Sequence, residues 1–172
     1  AKYHLKQAGL DSIDVKLHVA DAAFAGAVDA ATIYSEHARP TGINLTPVRK
    51  PNDGYWADVW RKDPWCAAYW GGQPSADMQL TQAFAADADW NDVYWKNDRF
   101  NELLVAARSE LNEKKRQEMY SEMQRIVRDD GGTVIPMFAS NVFAISNEIG
   151  HGEMQPLWEL DSMRACVRWW FK

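Results

Sequence analysis

The stretch Ile13-Asp14-Val15-Lys16-Leu17-His18-Val19 alternates apolar and polar side chains with a period of two, the pattern of a β-strand with one buried face. Working outward from it, the Ala-rich segment 25–38 predicts a helix, stopped by Pro40 and Gly42. Ile43-Asn44-Leu45-Thr46-Pro47-Val48 then predicts a second strand, in which Pro47 marks an edge or a bulge because it donates no backbone hydrogen bond. Strand, helix, strand places the chain in the α/β class. Upstream, Ala1 to Leu10 reads as the last turns of a helix whose apolar face is Leu5 and Ala8, with Gly9 as its left-handed cap. The chain therefore reads as opening inside an element.

Downstream, Asn52-Asp53-Gly54 is a turn signal, and segment 55–62 predicts a short helix carrying Trp56, Val59 and Trp60 at helical spacing. Trp65-Cys66-Ala67-Ala68-Tyr69-Trp70 is apolar throughout, as expected of a strand covered on both faces. It runs into Gly71-Gly72-Gln73-Pro74, a break that exposes backbone at a strand end. Ligands of open α/β sheets sit beyond the carboxyl ends of strands, so this break is the candidate binding edge. Asp98 is expected to cap a helix burying Phe100, Leu103, Leu104, Ala107 and Leu111, and Asn112 another burying Met119, Met123, Ile126 and Val127. Gly131-Gly132 ends that helix. Segments 133–138 and 141–146 read as strands, followed by a loop with Gly150 and Gly152 and a final strand at about 165–171. No internal repeat or low-complexity linker interrupts the chain.

With 172 residues, 47% of them hydrophobic, the chain can bury one good core. Its net charge of -5, with basic residues interleaved with acids as in Glu113-Lys114-Lys115-Arg116-Gln117-Glu118, provides no basic field. That excludes nucleic acid and anionic membrane as expected partners. No apolar run approaches the roughly 20 residues that cross a bilayer, and no signal-peptide pattern opens the sequence. The two cysteines, Cys66 and Cys166, are too few and too far apart for a zinc site, and fit either one disulfide or two thiols.

The motifs of catalysis are missing: no Gly-x-Ser-x-Gly elbow, no phosphate-cradling loop, and Ala20-Asp21-Ala22 where a dinucleotide fingerprint would follow the first strand. His4, His18, His37 and His151 share no ligand spacing, so neither metal nor cofactor is expected. Asp87, Asp89 and Asp92 lack the Gly turn and terminal Glu of a calcium loop and read as turn formers before a helix. The nine tryptophans suit a core and also a ligand cleft. Among them Trp70, at the strand end beside the Gly-Gly break, is the one expected to touch ligand. Two other classes fit the pattern: a doubly wound enzyme domain completed by residues from elsewhere, or a structural module binding through its aromatic and methionine faces.

Several stretches carry a resemblance. They are Arg99-Phe100-Asn101-Glu102-Leu103-Leu104, Ala107-Arg108-Ser109-Glu110-Leu111, Lys115-Arg116, Met119-Tyr120-Ser121-Glu122-Met123-Gln124 and Val134-Ile135-Pro136-Met137-Phe138, with Asn91 to Trp95 and the run Trp65 to Trp70 before them. In this order and spacing the chain resembles, over nearly its whole length, the peptide/nickel class of extracellular solute-binding proteins of ABC importers. The resemblance implies two α/β lobes that close on a hinge over a peptide or other small polar solute, then deliver it to a membrane permease. It implies no enzymatic activity, and a periplasmic or outer-surface location.

Members of that class are far longer, so residues 1–132 are expected to be a second-lobe α/β domain and 133–172 a return toward the hinge and a first lobe. Strands at 134–138, 142–146 and 166–170 are then expected to leave apolar surface uncovered, and an oxidising compartment permits a Cys66–Cys166 bridge. In peptide-binding members a strand-end Trp is followed by an Asp that receives the peptide's amino group. Trp70 matches the Trp, and the Asp falls on Gln73; in another registration Trp65 takes the Trp position and Ala68 the Asp. The resemblance thus implies ligand contacts from Trp70, Gly71, Gly72 and Gln73, or from Trp65, without the amine-binding carboxylate. Asp77 matches a later Asp at a helix start, where N-capping is its expected role.

Overall fold

The computed structural model describes residues Ala1–Lys172 and divides into two compact units, Ala1–Trp70 and Gly71–Lys172. No helix is long and apolar enough to cross a membrane.

The first unit opens with Lys2–Gln7 (α1), closed by Gly9 at φ 71°. The Leu10 amide donates to the Leu5 carbonyl at 2.9 Å and the Gly9 amide to Lys6 at 3.1 Å, the paired bonds of a Schellman end that needs one left-handed residue. Ile13–Val19 (β1) and Ile43–Arg49 (β2) pair in parallel, Ile13 opposite Ile43 and Val19 opposite Arg49. Ala27–Ala38 (α2) and a 3-10 turn at Arg39–Thr41 make the crossover. The period-two pattern of β1 buries Leu17 and Val19, and α2 turns Ala27, Ala31 and Ala38 toward them, small residues that let helix and sheet approach closely. Leu45, Tyr55 and Val59 complete this core, where each fully buried large side chain contributes about 1.5–3 kcal/mol. Pro47 lies on β2, an edge strand as its missing donor requires.

The strand expected over residues 65–70 is reduced to a single bridge between His18 and Cys66. The His18 amide donates to the Trp65 carbonyl at 3.0 Å and the Ala67 amide to His18 at 2.9 Å. The next rung of a parallel ladder needs the Ala67 carbonyl, and the Tyr55 hydroxyl of Tyr55–Asp58 (α3) donates to it at 2.7 Å instead. Burial, with Cys66 as the next cause, pushes the Tyr55 hydroxyl's pKa up and keeps it a donor. The apolar content of the segment goes into ring contacts: Trp65 meets Tyr34 edge-on at 6.2 Å and Tyr69 meets Trp56 at 5.5 Å.

The second unit is built on Ala76–Phe84 (α4), Asp98–Ser109 (α5) and Glu113–Asp130 (α6). Phe100, Leu103, Leu104 and Ala107 of α5 pack with Met123 and Val127 of α6 and Leu80, Ala83 and Phe84 of α4 as the buried set. Met119 and Ile126 are half-buried. Leu111, expected in this core, is 94% exposed because α5 ends at Ser109 and leaves it in the connection. Asn112 caps α6 as expected, accepting from the Lys115 amide at 3.1 Å. The cap of α5 is Asn97, accepting from Phe100 at 2.9 Å, and Asp98 sits one residue further in, where its charge faces the positive helix end. Between α4 and α5 the loop folds around buried Asn91. Its amide group donates to the carbonyls of Ala85 at 3.1 Å and Trp95 at 2.7 Å and accepts from the Trp95 amide at 3.3 Å.

The strands expected over 133–138 and 141–146 do not form. Their residues favour strands, but no strand lies beside them, and a strand without a partner leaves its backbone unpaired. Phe138 and Val142 are 92% and 91% exposed, so this segment does leave apolar surface uncovered.

The final strand contracts to Trp170–Phe171 (β4), antiparallel to Ile149–Gly150 (β3), after Glu159–Met163 (α7) and Ala165–Arg168 (α8). A buried carboxylate explains the difference. Asp161 accepts from Arg168 Nε at 2.6 Å and Trp169 Nε1 at 3.2 Å, neighbours that an extended strand would send to opposite faces. It also accepts from the Gln155 amide at 2.6 Å. These bonds hold Leu160, Asp161, Ser162 and Met163 at φ of 50, 62, 58 and 60°, a left-handed turn costing about 1–2 kcal/mol per residue. Cys66 is half-buried, Cys166 is exposed, and the two are not bridged.

Asn91→Ala would strip partners from buried backbone groups, and a loss of about 1–3 kcal/mol is expected as a lower urea midpoint at unchanged slope. An unchanged midpoint would mean that water replaces the amide. The Gln155 amide, then Arg168 and Trp169, hold the Asp161 carboxyl below the usual carboxylate range. Such a group stabilises fully above its ordinary pKa of about 4, and the stabilisation disappears as pH falls through the folded value. Asp161→Asn is therefore expected to flatten the acid side of a plot of Tm against pH below about pH 4. An identical acid side in the variant would remove Asp161 from that account.

Candidate functional site

Three helices of the second unit meet on one carboxylate. Asp77, in the first turn of α4, accepts from Arg108 Nε of α5 at 2.9 Å and from the Tyr120 hydroxyl of α6 at 3.2 Å. Arg108 Nη2 donates to Thr81 Oγ1 at 2.6 Å. The carboxylate raises the pKa of Arg108, and burial, then Asp77, raises that of Tyr120, so both remain protonated donors. Capping of α4, the role expected of Asp77, belongs to Ser75, which accepts from the Met78 amide at 3.2 Å.

Beside this junction lies a cleft of about 500 Å³, lined by Gln73, Asp77, Met78, Thr81, Gln82, Ala88, Asp89, Trp90 and Arg108. Its volume falls in the range of about 300–1,000 Å³ typical of small-molecule sites. Gln73 Nε2 donates to Gln82 Oε1 at 2.9 Å, leaving the Gln73 oxygen as an acceptor and the Gln82 nitrogen as a donor. Asp89 makes no hydrogen bond or ion pair within the chain. Trp90, next to it, is 52% exposed. No group of three or more His, Cys, Asp or Glu side chains converges as a metal site.

The residues singled out from sequence are dispersed. Gln73 lines the cleft; Trp65, Trp70, Gly71 and Gly72 do not. Trp65 packs on Tyr34, and Trp70 is half-buried where the first unit ends. Gly71 faces the indole of Trp158, so closely that a Cβ there would lie 2.1 Å from a ring carbon, and at Gly72 it would lie 3.0 Å from the Leu157 carbonyl oxygen. The residues that sequence reasoning missed are Thr81, Gln82, Asp89, Trp90 and Arg108 in the cleft, and Trp158 on the glycine. Asp89 stood out only as a turn former, and nothing in the order of residues brings Trp158 to Gly71.

Gly71→Ala forces the indole or the backbone to move, an overpacking cost of about 1–3 kcal/mol in chemical denaturation. Adding Trp158→Ala is expected to recover part of that loss in a double-mutant cycle. Strict additivity of the two substitutions would place the ring elsewhere in solution.

No protein-family profile and no curated protein matches the chain. Solved structures do. HbpA2 from Haemophilus parasuis is similar at a TM-score of 0.61 and 16% identity, over 75% of this chain and 27% of that one. The ABC transporter substrate-binding protein CtaP from Listeria monocytogenes is similar at 0.60 and 20%, over 75% and 27%. The ABC transporter-associated periplasmic binding protein DppA from Helicobacter pylori, solved in complex with the peptide STSA, is similar at 0.58 and 20%, over 75% and 26%. The chain spans about a quarter of the length of each. The chain thus shares an α/β fold with part of each of these three proteins.

Proposed function

We propose that this chain belongs to the substrate-binding component of an ABC importer, in the periplasm or on an outer surface. In this reading residues 1–132 belong to the second lobe, and 133–172 return toward the hinge and the first lobe. Lobe closure captures a peptide or other small polar solute and delivers it to a membrane permease. The observation that carries the reading is the fold shared with DppA and CtaP, both described as binding proteins of ABC transporters.

The cleft chemistry agrees with binding more than with turnover. Its lining offers amides, an indole and an arginine already engaged by Asp77 and Thr81, with no nucleophile held against a base. The ligand edge proposed from sequence is the run 70–73, with Trp70 offering an apolar wall and one indole donor, Gly71 and Gly72 their backbone, and Gln73 a neutral donor and acceptor; in the other registration Trp65 takes the place of Trp70.

Mass spectrometry of solute released on denaturing the full-length protein is expected to find a peptide or another small polar molecule. In calorimetry with that solute, Trp70→Ala is expected to weaken binding at least tenfold while the unliganded melting curve stays nearly unchanged. Unaltered affinity would take Trp70 out of the site, and a collapsed fold would return it to the core. Chemical conversion of the released solute by the protein would favour the enzyme reading instead.

A further inference from the structure

We infer that residues 155–163 form an autoinhibitory strap, in which Leu157 and Trp158 lie on the Gly71–Gly72 backbone as a stand-in for the solute and must leave before that edge is occupied. The inference rests on the solute-binding reading, which takes 70–73 as the ligand edge, and adds an occupant built into the chain.

The two glycines and the strap match residue for residue. A Cβ at Gly71 would meet three atoms of the six-membered ring of Trp158 at 2.1, 2.3 and 3.0 Å, and a Cβ at Gly72 would meet the Leu157 carbonyl oxygen at 3.0 Å and its Cα at 3.3 Å. Trp158 has extended backbone, φ -142° and ψ 167°, so the strap presents a side chain and a main chain to the edge as an extended ligand would. The contact holds no hydrogen bond. The amide and carbonyl groups of Gly71 and Gly72 bond to nothing within the chain, and the strap covers them without satisfying them. A solute that offers a donor or an acceptor there gains bonds that the strap leaves unmade, which gives it the differential affinity needed to displace the strap.

The strap is fastened to its own segment, with hydrogen bonds that run within residues 153–169. Buried Asp161 accepts from the Gln155 amide, Arg168 and Trp169. Ser162 Oγ accepts from the Leu157 amide at 3.3 Å, and the Ser162 amide donates to the Trp158 carbonyl at 3.1 Å. These bonds hold the four residues 160–163 at positive φ, a conformation that non-glycine residues keep only where their surroundings enforce it, and one that collects at clamps and switch segments. Trp158 itself is 38% exposed. The fastening is thus buried and strained while the ring on the glycine edge is superficial, the distribution expected of a segment with a held and a released position.

The test supplies the strap in trans, as the N-acetylated, C-amidated pentapeptide of residues 155–159. It is titrated by calorimetry into the 172-residue chain and its Trp158→Ala variant, with melting curves as the folding control. An attached strap competes at an effective concentration of order millimolar, so the pentapeptide is expected to bind the variant at least tenfold more tightly than the unaltered chain. Gly71→Ala added to Trp158→Ala is expected to abolish that binding. In the unaltered chain labelled with fluorotryptophan, the fluorine resonance that Trp158→Phe removes is expected to shift as pentapeptide is added. Equal affinity for chain and variant, no binding to the folded variant, or binding indifferent to Gly71→Ala overturns the strap. If Trp158→Ala unfolds, a Trp158 resonance that the pentapeptide leaves in place overturns it instead. The solute released from the full-length protein separates the two readings. Equal affinity of that solute for the full-length protein and its Trp158→Ala variant overturns the strap alone, and absence of any released solute overturns the solute-binding reading and with it the inhibitory role.

Discussion

A backbone carbonyl or amide taken out of water needs a partner, and where regular structure stops in this chain, side chains supply it. Tyr55 takes the Ala67 carbonyl, Asn91 takes those of Ala85 and Trp95, and Asp161 takes the Gln155 amide. Leaving such a group unpaired costs roughly 1–3 kcal/mol, comparable with burying a whole aliphatic side chain. Each of these bonds sets the course of the neighbouring backbone. Tyr55 ends the sheet after one rung of the third segment, Asn91 shapes the loop that carries Asp89 and Trp90 to the cleft, and Asp161 holds a backbone conformation that residues other than glycine avoid.

Ion pairs rank below this. Arg99 with Glu122 and Arg128 with Asp129 lie on the surface, where such pairs contribute about 0–1 kcal/mol. The packing of Phe100, Leu103, Leu104, Met123 and Val127 outweighs them in holding α5 to α6. The Asp77, Arg108 and Tyr120 junction differs in kind, since it joins three helices on one side chain. Its contribution is to position: it fixes one wall of the cleft in register with the others and leaves that wall electrically neutral.

Local pattern was legible and long-range pairing was not. The alternation in β1, the alanine face of α2, the Gly9 terminator and the apolar stripes of α5 and α6 depend on short-range spacing and are present in the fold, with the cap of α5 displaced by one residue. Strand formation depends on a neighbour, so segments with the composition of strands, at 65–70 and 133–146, kept the composition and lost the ladder. Of the residues lining the cleft, Gln73 alone was singled out as a ligand contact, by its position after a strand-like run. Asp89, in the same lining, was not, because a carboxylate in a turn has the same local sequence whether or not a cleft lies beside it.

Trp56 and Trp60 meet edge to face, with ring centroids 5.8 Å apart and planes at 75°. Electronic transitions of two indoles so close and so inclined couple, and the coupled pair contributes its own couplet to the circular dichroism spectrum. The couplet belongs to Ala1–Trp70, whereas most helical residues, including the longest helix α6, lie in Gly71–Lys172. The Trp56–Trp60 couplet and most of the helical signal thus originate in different units, which makes that couplet an intrinsic spectroscopic label for the first unit.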